Sequence, residues 1–150
     1  MKCTILFGLV FWSVTVSGQA TQSYNKHLAD SLHADDYGMK KYVLVILKTG
    51  STKNVTKQLQ DSLFAGHMKN IQRLAKEGRL VAAGPMQENE KHYEGIFILN
   101  AATIAEADAL LITDPAVKAH LLDTERYVWY GSAALPLYLK YHDSIQKKHF

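Results

Sequence analysis

The chain has 150 residues, 47% of them hydrophobic, and a formal net charge of +3. This length suits one domain, and the apolar content supports a packed core rather than a disordered chain. The small positive charge, with no stretch that combines dense Lys and Arg with aromatic residues, argues against a nucleic-acid-binding protein.

The first 20 residues have the pattern of a secretory signal peptide. Lys2 supplies the positive region, residues 5–16 are mostly apolar and uncharged, and Gly18-Gln19-Ala20 gives the small-x-small cleavage pattern. The alternative is a transmembrane anchor, which needs about 18 or more apolar residues. Because the run is shorter, we expect cleavage, export to the periplasm or the medium, and no stable membrane anchor in the mature chain. Cys3 is the only cysteine, so the mature chain is expected to contain no disulfide and no thiolate site.

Residues 21–39 are interpreted as an N-terminal extension, in which Tyr24, Leu28 and Leu32 recur every four residues and predict a helix that ends near Gly38. A continuous apolar run at 42–47 then predicts a strand buried on both faces. A helical pattern follows over 55–77 and ends at Gly78.

The second half of the chain repeats this alternation. Apolar runs at 79–83 and 95–99 predict the second and third strands. Thr103 and Glu106 form a capping-box pattern for a helix to about residue 112, and Asp114-Pro115 predicts the start of a short helix through 121. The run at 126–130 predicts the fourth strand.

The predicted order is βαββαβ, an α+β ferredoxin-like arrangement in residues 40–131. Residues 132–150 are read as a C-terminal extension that is helical after Pro136. In the first strand Tyr42, Leu44 and Ile46 alternate with Val43, Val45 and Leu47, and both sets are apolar. Because the helices bury one face, we expect a homodimer that stacks the other faces; the alternative is that the extensions cover this face within one chain.

His67 is the most informative position. It lies four residues after Leu63 and four before Ile71, so it belongs to the stripe that faces the sheet. One interpretation is a core histidine bonded to backbone. The other is a general acid or base, because histidine titrates near neutral pH.

Asp114 has a sufficient structural explanation as an N-cap before Pro115. A capping aspartate can still keep one oxygen free to orient an imidazole. The remaining histidines form no pattern typical of a metal site, and the sequence contains no HExxH, Walker, GxGxxG or GxSxG motif. We therefore expect neither a metal nor a cofactor.

Residues 40–130 resemble the YCII-related (YciI-like) family. The matching segments are 41–48 (KYVLVILK), Gly66-His67, 77–80 (EGRL), 83–85 (AGP), 95–97 (GIF), 105–107 (AEA), 113–117 (TDPAV) and Trp129. The resemblance implies a dimeric α+β barrel with a cleft, and it implies His67 and Asp114 as an active-site pair. Some relatives are similar to dehydrochlorinases or lactone isomerases that act on ring compounds.

Three hypotheses follow. The first is a cofactor-independent enzyme, of lyase or isomerase type, in which His67 moves a proton on a small molecule and Asp114 orients the imidazole; Tyr93, Arg126 and Trp129 are candidates to line its cleft. The second is a non-catalytic module that binds a small molecule in the same cleft. The third is a structural dimer module in which His67 is a core residue.

Overall fold

The computed structural model describes residues 23–148 of the chain, so the predicted signal peptide lies outside the described residues. The elements are α1 (Lys26–Ser31), β1 (Met39–Thr49), α2 (Lys57–Lys76), β2 (Leu80–Pro85), β3 (Tyr93–Leu99), α3 (Ile104–Leu111), α4 (Pro115–Lys118), β4 (Leu122–Ser132), a 3-10 turn (Leu135–Tyr138) and α5 (Leu139–Ile145).

The four strands form one sheet in the order β2-β3-β1-β4. β1 pairs antiparallel with both β3 and β4, and β2 pairs antiparallel with β3. Together with the order of elements, this arrangement confirms the predicted α+β, ferredoxin-like βαββαβ fold. It brings β3, which follows β2 directly in the chain, into the centre of the sheet beneath α2.

The helices cover one face of the sheet. On β1 the side chains of Val43, Val45 and Leu47 are buried, and they form a single core with apolar side chains of α2, α3 and α4. Leu44 and Ile46, which point the other way, are only half-buried. The prediction that β1 is buried on both faces is therefore wrong for the single chain, because the helices that form this core all pack on the first face.

The second face, called the open face below, is largely apolar. Register and alternation place on it the side chains of Leu44, Ile46, Ile96, Ile98, Tyr127 and Trp129. Tyr127 and Trp129 are 52% and 38% exposed. Tyr42 also points to this side but is fully buried, because the Trp129 ring lies 5.7 Å from its ring and its hydroxyl donates to the Ser132 carbonyl. One corner of the open face is thus covered within the chain.

Several predicted element ends differ from the structure. Helix α1 ends at Ser31, well before Gly38. Helix α4 ends at Lys118 rather than 121, since the chain turns at His120, whose φ is +52°. Strand β4 begins four residues earlier than predicted, at Leu122, because its polar first half pairs in register with β1.

The C-terminal extension is helical after Pro136, as predicted, and the Tyr138 hydroxyl ties it to the Val81 carbonyl on the edge strand. Helix α1 of the N-terminal extension contains no buried residue. Among the described residues, no helix is long and apolar enough to cross a membrane.

Candidate functional site

Helix α2 carries three buried residues, His67, Asn70 and Leu74, at spacings of three and four. These spacings place all three on the side that packs against the sheet. His67 is 7% exposed, which confirms the prediction that its side chain points inward. Thr56 begins this helix as its N-cap and accepts a hydrogen bond from the backbone N–H of Leu59.

Asp114 is the N-cap of α4, as predicted, with Pro115 at the first helical position. Its Oδ1 accepts hydrogen bonds from the backbone N–H groups of Ala116 at 2.9 Å and Val117 at 3.4 Å. Its side chain is 1% exposed. The capping role therefore occupies one carboxylate oxygen and leaves the other for a different partner.

That partner is His67. The Nδ1 of its imidazole lies 2.7 Å from Oδ2 of Asp114, so the fold joins two residues that are 47 positions apart in the sequence. A close approach of α2 to α4 makes this contact possible: a Cβ added at Gly66 would lie 2.8 Å from Cγ of Pro115. The Gly66-His67 and Asp114-Pro115 motifs are thus two sides of one helix contact.

A polar network behind Asp114 supports the pair. The Nδ2 of Asn70 lies 3.4 Å from Oδ2 of Asp114, at the long limit of a hydrogen bond. The Oδ1 of Asn70 accepts from Arg73 at 2.8 Å and lies 3.0 Å from the Thr113 hydroxyl. Because Oδ1 meets these donors, the amide of Asn70 must turn its NH2 group towards Asp114.

Sequence reasoning missed Asn70 and this network. The detectable signal was a polar residue three positions after His67 on an otherwise apolar stripe. Arg73 was less visible, since its four-residue spacing from Glu77 is typical of an exposed helix ion pair, which it also forms at 2.9 Å.

The charge of Asp114 fixes which nitrogen of the His67 ring carries the hydrogen between them. Burial alone would raise the pKa of Asp114. The hydrogen bond from His67, the charge of that ring when protonated, and the N–H groups of Ala116 and Val117 outweigh burial and hold the pKa below its ordinary value of 3.8. At neutral pH the carboxylate is ionised and can only accept, so Nδ1 of His67 carries the hydrogen and donates it. In the neutral ring, Nε2 then keeps its lone pair.

Two phenylalanine rings hold the imidazole. Phe97 of β3, which is 2% exposed, stacks on it with centroids 5.8 Å apart and an interplanar angle of 20°. Phe64, one turn earlier on α2, meets it edge-on at 6.0 Å and is 40% exposed. The ring of His67 is thus packed on one face and restrained at the Nδ1 edge.

The Nε2 atom of His67 reaches solvent. Among the described residues, Nε2 has no hydrogen-bond partner. Every fully buried side-chain nitrogen or oxygen in that part of the chain does have a partner, so Nε2 is not fully buried. Two surface depressions of the described part are not lined by His67. One, of about 380 Å³, is lined by Lys48, Thr49, Lys53, Lys91, His92 and Asp123, and the other, of about 630 Å³, lies beside α1.

The other candidate cleft residues contact partners other than His67 and Asp114. Tyr93 lies 3.5 Å from Glu125, and Arg126 pairs with Asp108 at 2.9 Å. Trp129 packs on Tyr42 on the open face. Within residues 23–148, no group of three or more His, Cys, Asp or Glu side chains is arranged to hold a metal ion.

Comparison with solved structures found a similarity to 5-chloro-2-hydroxyhydroquinone dehydrochlorinase from Burkholderia phenoliruptrix, in complex with 2,5-dihydroxybenzoquinone. The two are 18% identical with a TM-score of 0.43, and the match covers 58% of this chain and 92% of that one. Comparison with curated proteins found no match. The sequence profile of the YCII-related domain matches residues 41–129, which include both His67 and Asp114, and the chain therefore belongs to the YCII-related domain family.

Proposed function

We propose that the protein is a cofactor-independent acid–base catalyst in which His67 transfers a proton of a small molecule and Asp114 holds the imidazole. One observation carries this proposal: Nδ1 of His67 is committed to the ionised Asp114 at 2.7 Å, while Nε2 is unpaired and reaches solvent. This is the arrangement that a general base requires, because the basic nitrogen is free and its tautomer is fixed.

In the proposed reaction, Nε2 accepts a proton from the substrate and the ring becomes an imidazolium. The adjacent carboxylate stabilises this positive charge, and the stacked Phe97 keeps the ring from turning. The ring then returns the proton to another atom of the same molecule, which gives an isomerisation, or releases it after a leaving group departs, which gives a lyase reaction. Ring compounds are the first substrate class to test, as the family resemblance implies.

The rival function is a non-catalytic module, either for ligand binding or for assembly. The specific observation in its favour is the burial of the pair: His67 is 7% exposed and Asp114, which is 1% exposed, already serves as an N-cap. In that case His67 contributes to packing, and Nε2 has no chemical role.

Nitrogen-15 NMR of the His67 ring, followed by a substrate screen, tests the proposal. In the wild type we expect the neutral ring to be the Nδ1–H tautomer. In Asp114→Asn we expect a shift towards the Nε2–H tautomer, because the amide oxygen keeps capping α4 and the NH2 group then faces Nδ1. A screen of small cyclic substrates should then find turnover that His67→Gln abolishes, whereas the control His120→Gln, at an exposed histidine paired with Asp123, retains it.

Two results would count against this function. A His67 ring that keeps the Nδ1–H tautomer of the wild type in a folded Asp114→Asn protein would show that Asp114 does not set the tautomer. Turnover that survives in His67→Gln would assign the reaction to other residues.

We also propose that the protein is exported and acts as a homodimer. The apolar run of residues 5–16 supports export. The intact mass of protein from the cell envelope should match a chain that begins after Ala20. Full-length chain in the cytoplasm would contradict export. The exposed Tyr127 and Trp129 on the open face support a second copy as the covering layer.

A further inference from the structure

We propose that Phe64 controls access to Nε2 of His67 and contacts the non-reacting, uncharged part of the substrate. The contact with a substrate rests on the proposed function, whereas the control of access rests on the packing around the imidazole alone.

The contacts of the imidazole leave one exposed neighbour. Asp114 occupies the Nδ1 edge and is 1% exposed, and Asn70 beside it is 7% exposed. Phe97 covers one face and is 2% exposed. Phe64 is the remaining ring in contact, and it is 40% exposed. Of these four side chains, Phe64 is therefore the one that solvent reaches most, and the one that a molecule from solvent can contact.

Helix geometry gives an independent reason. Side chains on an α-helix lean towards its N-terminus, so a residue covers the turn that precedes its own Cα. The ring of His67 therefore lies over the turn that contains Phe64, three positions earlier. Movement of the Phe64 side chain towards solvent would widen the space beside the imidazole, whose Nδ1 edge is held by Asp114, without breaking any hydrogen bond.

The surface that leads to Phe64 defines the chemistry of the ligand. The N-terminal half of α2 also presents Leu59, which is 48% exposed, and the half-buried Leu63. The charged residues on this half, Lys57 and Asp61, neutralise each other at 2.7 Å. An uncharged, mainly hydrocarbon group suits such an entrance better than a charged one, because no fixed charge there compensates for its desolvation.

Diethyl pyrocarbonate tests the access role without any substrate. It acylates an imidazole nitrogen that carries a lone pair and releases ethanol and carbon dioxide, and peptide mass spectrometry reports the extent at each histidine. The exposed His120, whose side chain is 68% accessible, serves as the internal reference. We expect His67 to react more slowly than His120 in the wild type and severalfold faster in Phe64→Ala.

Two further variants keep the test decisive. Phe64→Leu retains an apolar side chain, so it should fold even where Phe64→Ala does not, and it should show a smaller increase. Tyr37→Ala truncates an aromatic residue that is 86% exposed on the N-terminal extension, and it should leave the His67 rate unchanged. A His67 rate that matches the wild type in both folded Phe64 variants would overturn the proposal.

The ligand class has its own readout. In NMR titrations with phenol and with benzoate, phenol should shift the Phe64 and His67 resonances at lower concentration, because it has the same ring without a full charge. Equal or stronger shifts with benzoate would overturn the uncharged class. The absence of any turnover would refute the catalytic proposal but would not change the results with diethyl pyrocarbonate or the NMR titrations. Failure of the proposed function and failure of the proposal for Phe64 are therefore distinguishable.

Discussion

At the scale of single residues, the two oxygens of Asp114 perform different tasks. Oδ1 caps α4 through the N–H groups of Ala116 and Val117, and Oδ2 receives Nδ1 of His67. A structural role and a chemical role therefore coexist in one side chain. The sequence supports the capping role, which local spacing reveals, but the contact with His67 depends on how two distant segments fold together.

The lowered pKa of Asp114 predicts how stability depends on pH. A carboxyl group whose pKa is lower in the folded state stabilises the fold above its unfolded value, here 3.8, and this contribution is lost as the pH falls through the folded value. We expect the free energy of unfolding of the wild type to fall more steeply below about pH 4 than that of Asp114→Asn, which cannot titrate and still caps the helix.

Denaturant unfolding at a series of pH values measures this difference. Asp108→Asn is a suitable control, since Asp108 forms an exposed ion pair with Arg126 and its carboxylate is about half accessible. If the free energy of unfolding fell equally with decreasing pH in the wild type and in Asp114→Asn, Asp114 would have the same pKa in the folded and unfolded states, against this prediction.

At the scale of elements, the sequence predicted most of the fold. The apolar runs identified all four strands, and the caps at Thr103 and Asp114 located the starts of α3 and α4, because these signals are local. The first half of β4 was missed. Its residues Asp123, Thr124 and Glu125 are polar, and only their backbone pairing with β1 makes them a strand.

The candidate site was predicted in part for the same reason. The stripe of α2 correctly placed His67 towards the sheet, because side-chain direction follows helical spacing. The partner Phe97 could not be inferred, since its contact with His67 requires β3 to lie beneath α2. Asn70 lies on the same stripe, but the sequence does not show which acceptor its amide meets, because that depends on the position of α4.

At the scale of the whole molecule, the two faces of the sheet differ in what covers them. One face packs on three helices, and the other exposes Tyr127 and Trp129 and leaves Leu44 half-buried. Within the chain, Trp129 and the Ser132 carbonyl cover a corner of it around Tyr42. A second copy would bury the remainder, which is the arrangement that the family resemblance implies.

Two substitutions on β1 separate the fold from the assembly. Val45 is fully buried against the helices, so Val45→Glu should lower the free energy of unfolding by several kcal/mol, a large part of the ~5–15 kcal/mol typical of a domain. Leu44 is adjacent but belongs to the open face. Leu44→Glu should leave the monomer folded, because its carboxylate can reach water, and should prevent the sheets of two copies from stacking.

Sedimentation velocity and circular dichroism measure the two effects separately. We expect the wild type to sediment as a dimer at micromolar concentration and Leu44→Glu to sediment as a folded monomer. A monomeric wild type would show that the open face stays uncovered or binds another protein. A Leu44→Glu protein that remains dimeric would place the interface on another surface. Because Leu44 lies on the face opposite to His67 and Asp114, the ring tautomer of the folded Leu44→Glu monomer also tests whether the pair is complete within one chain.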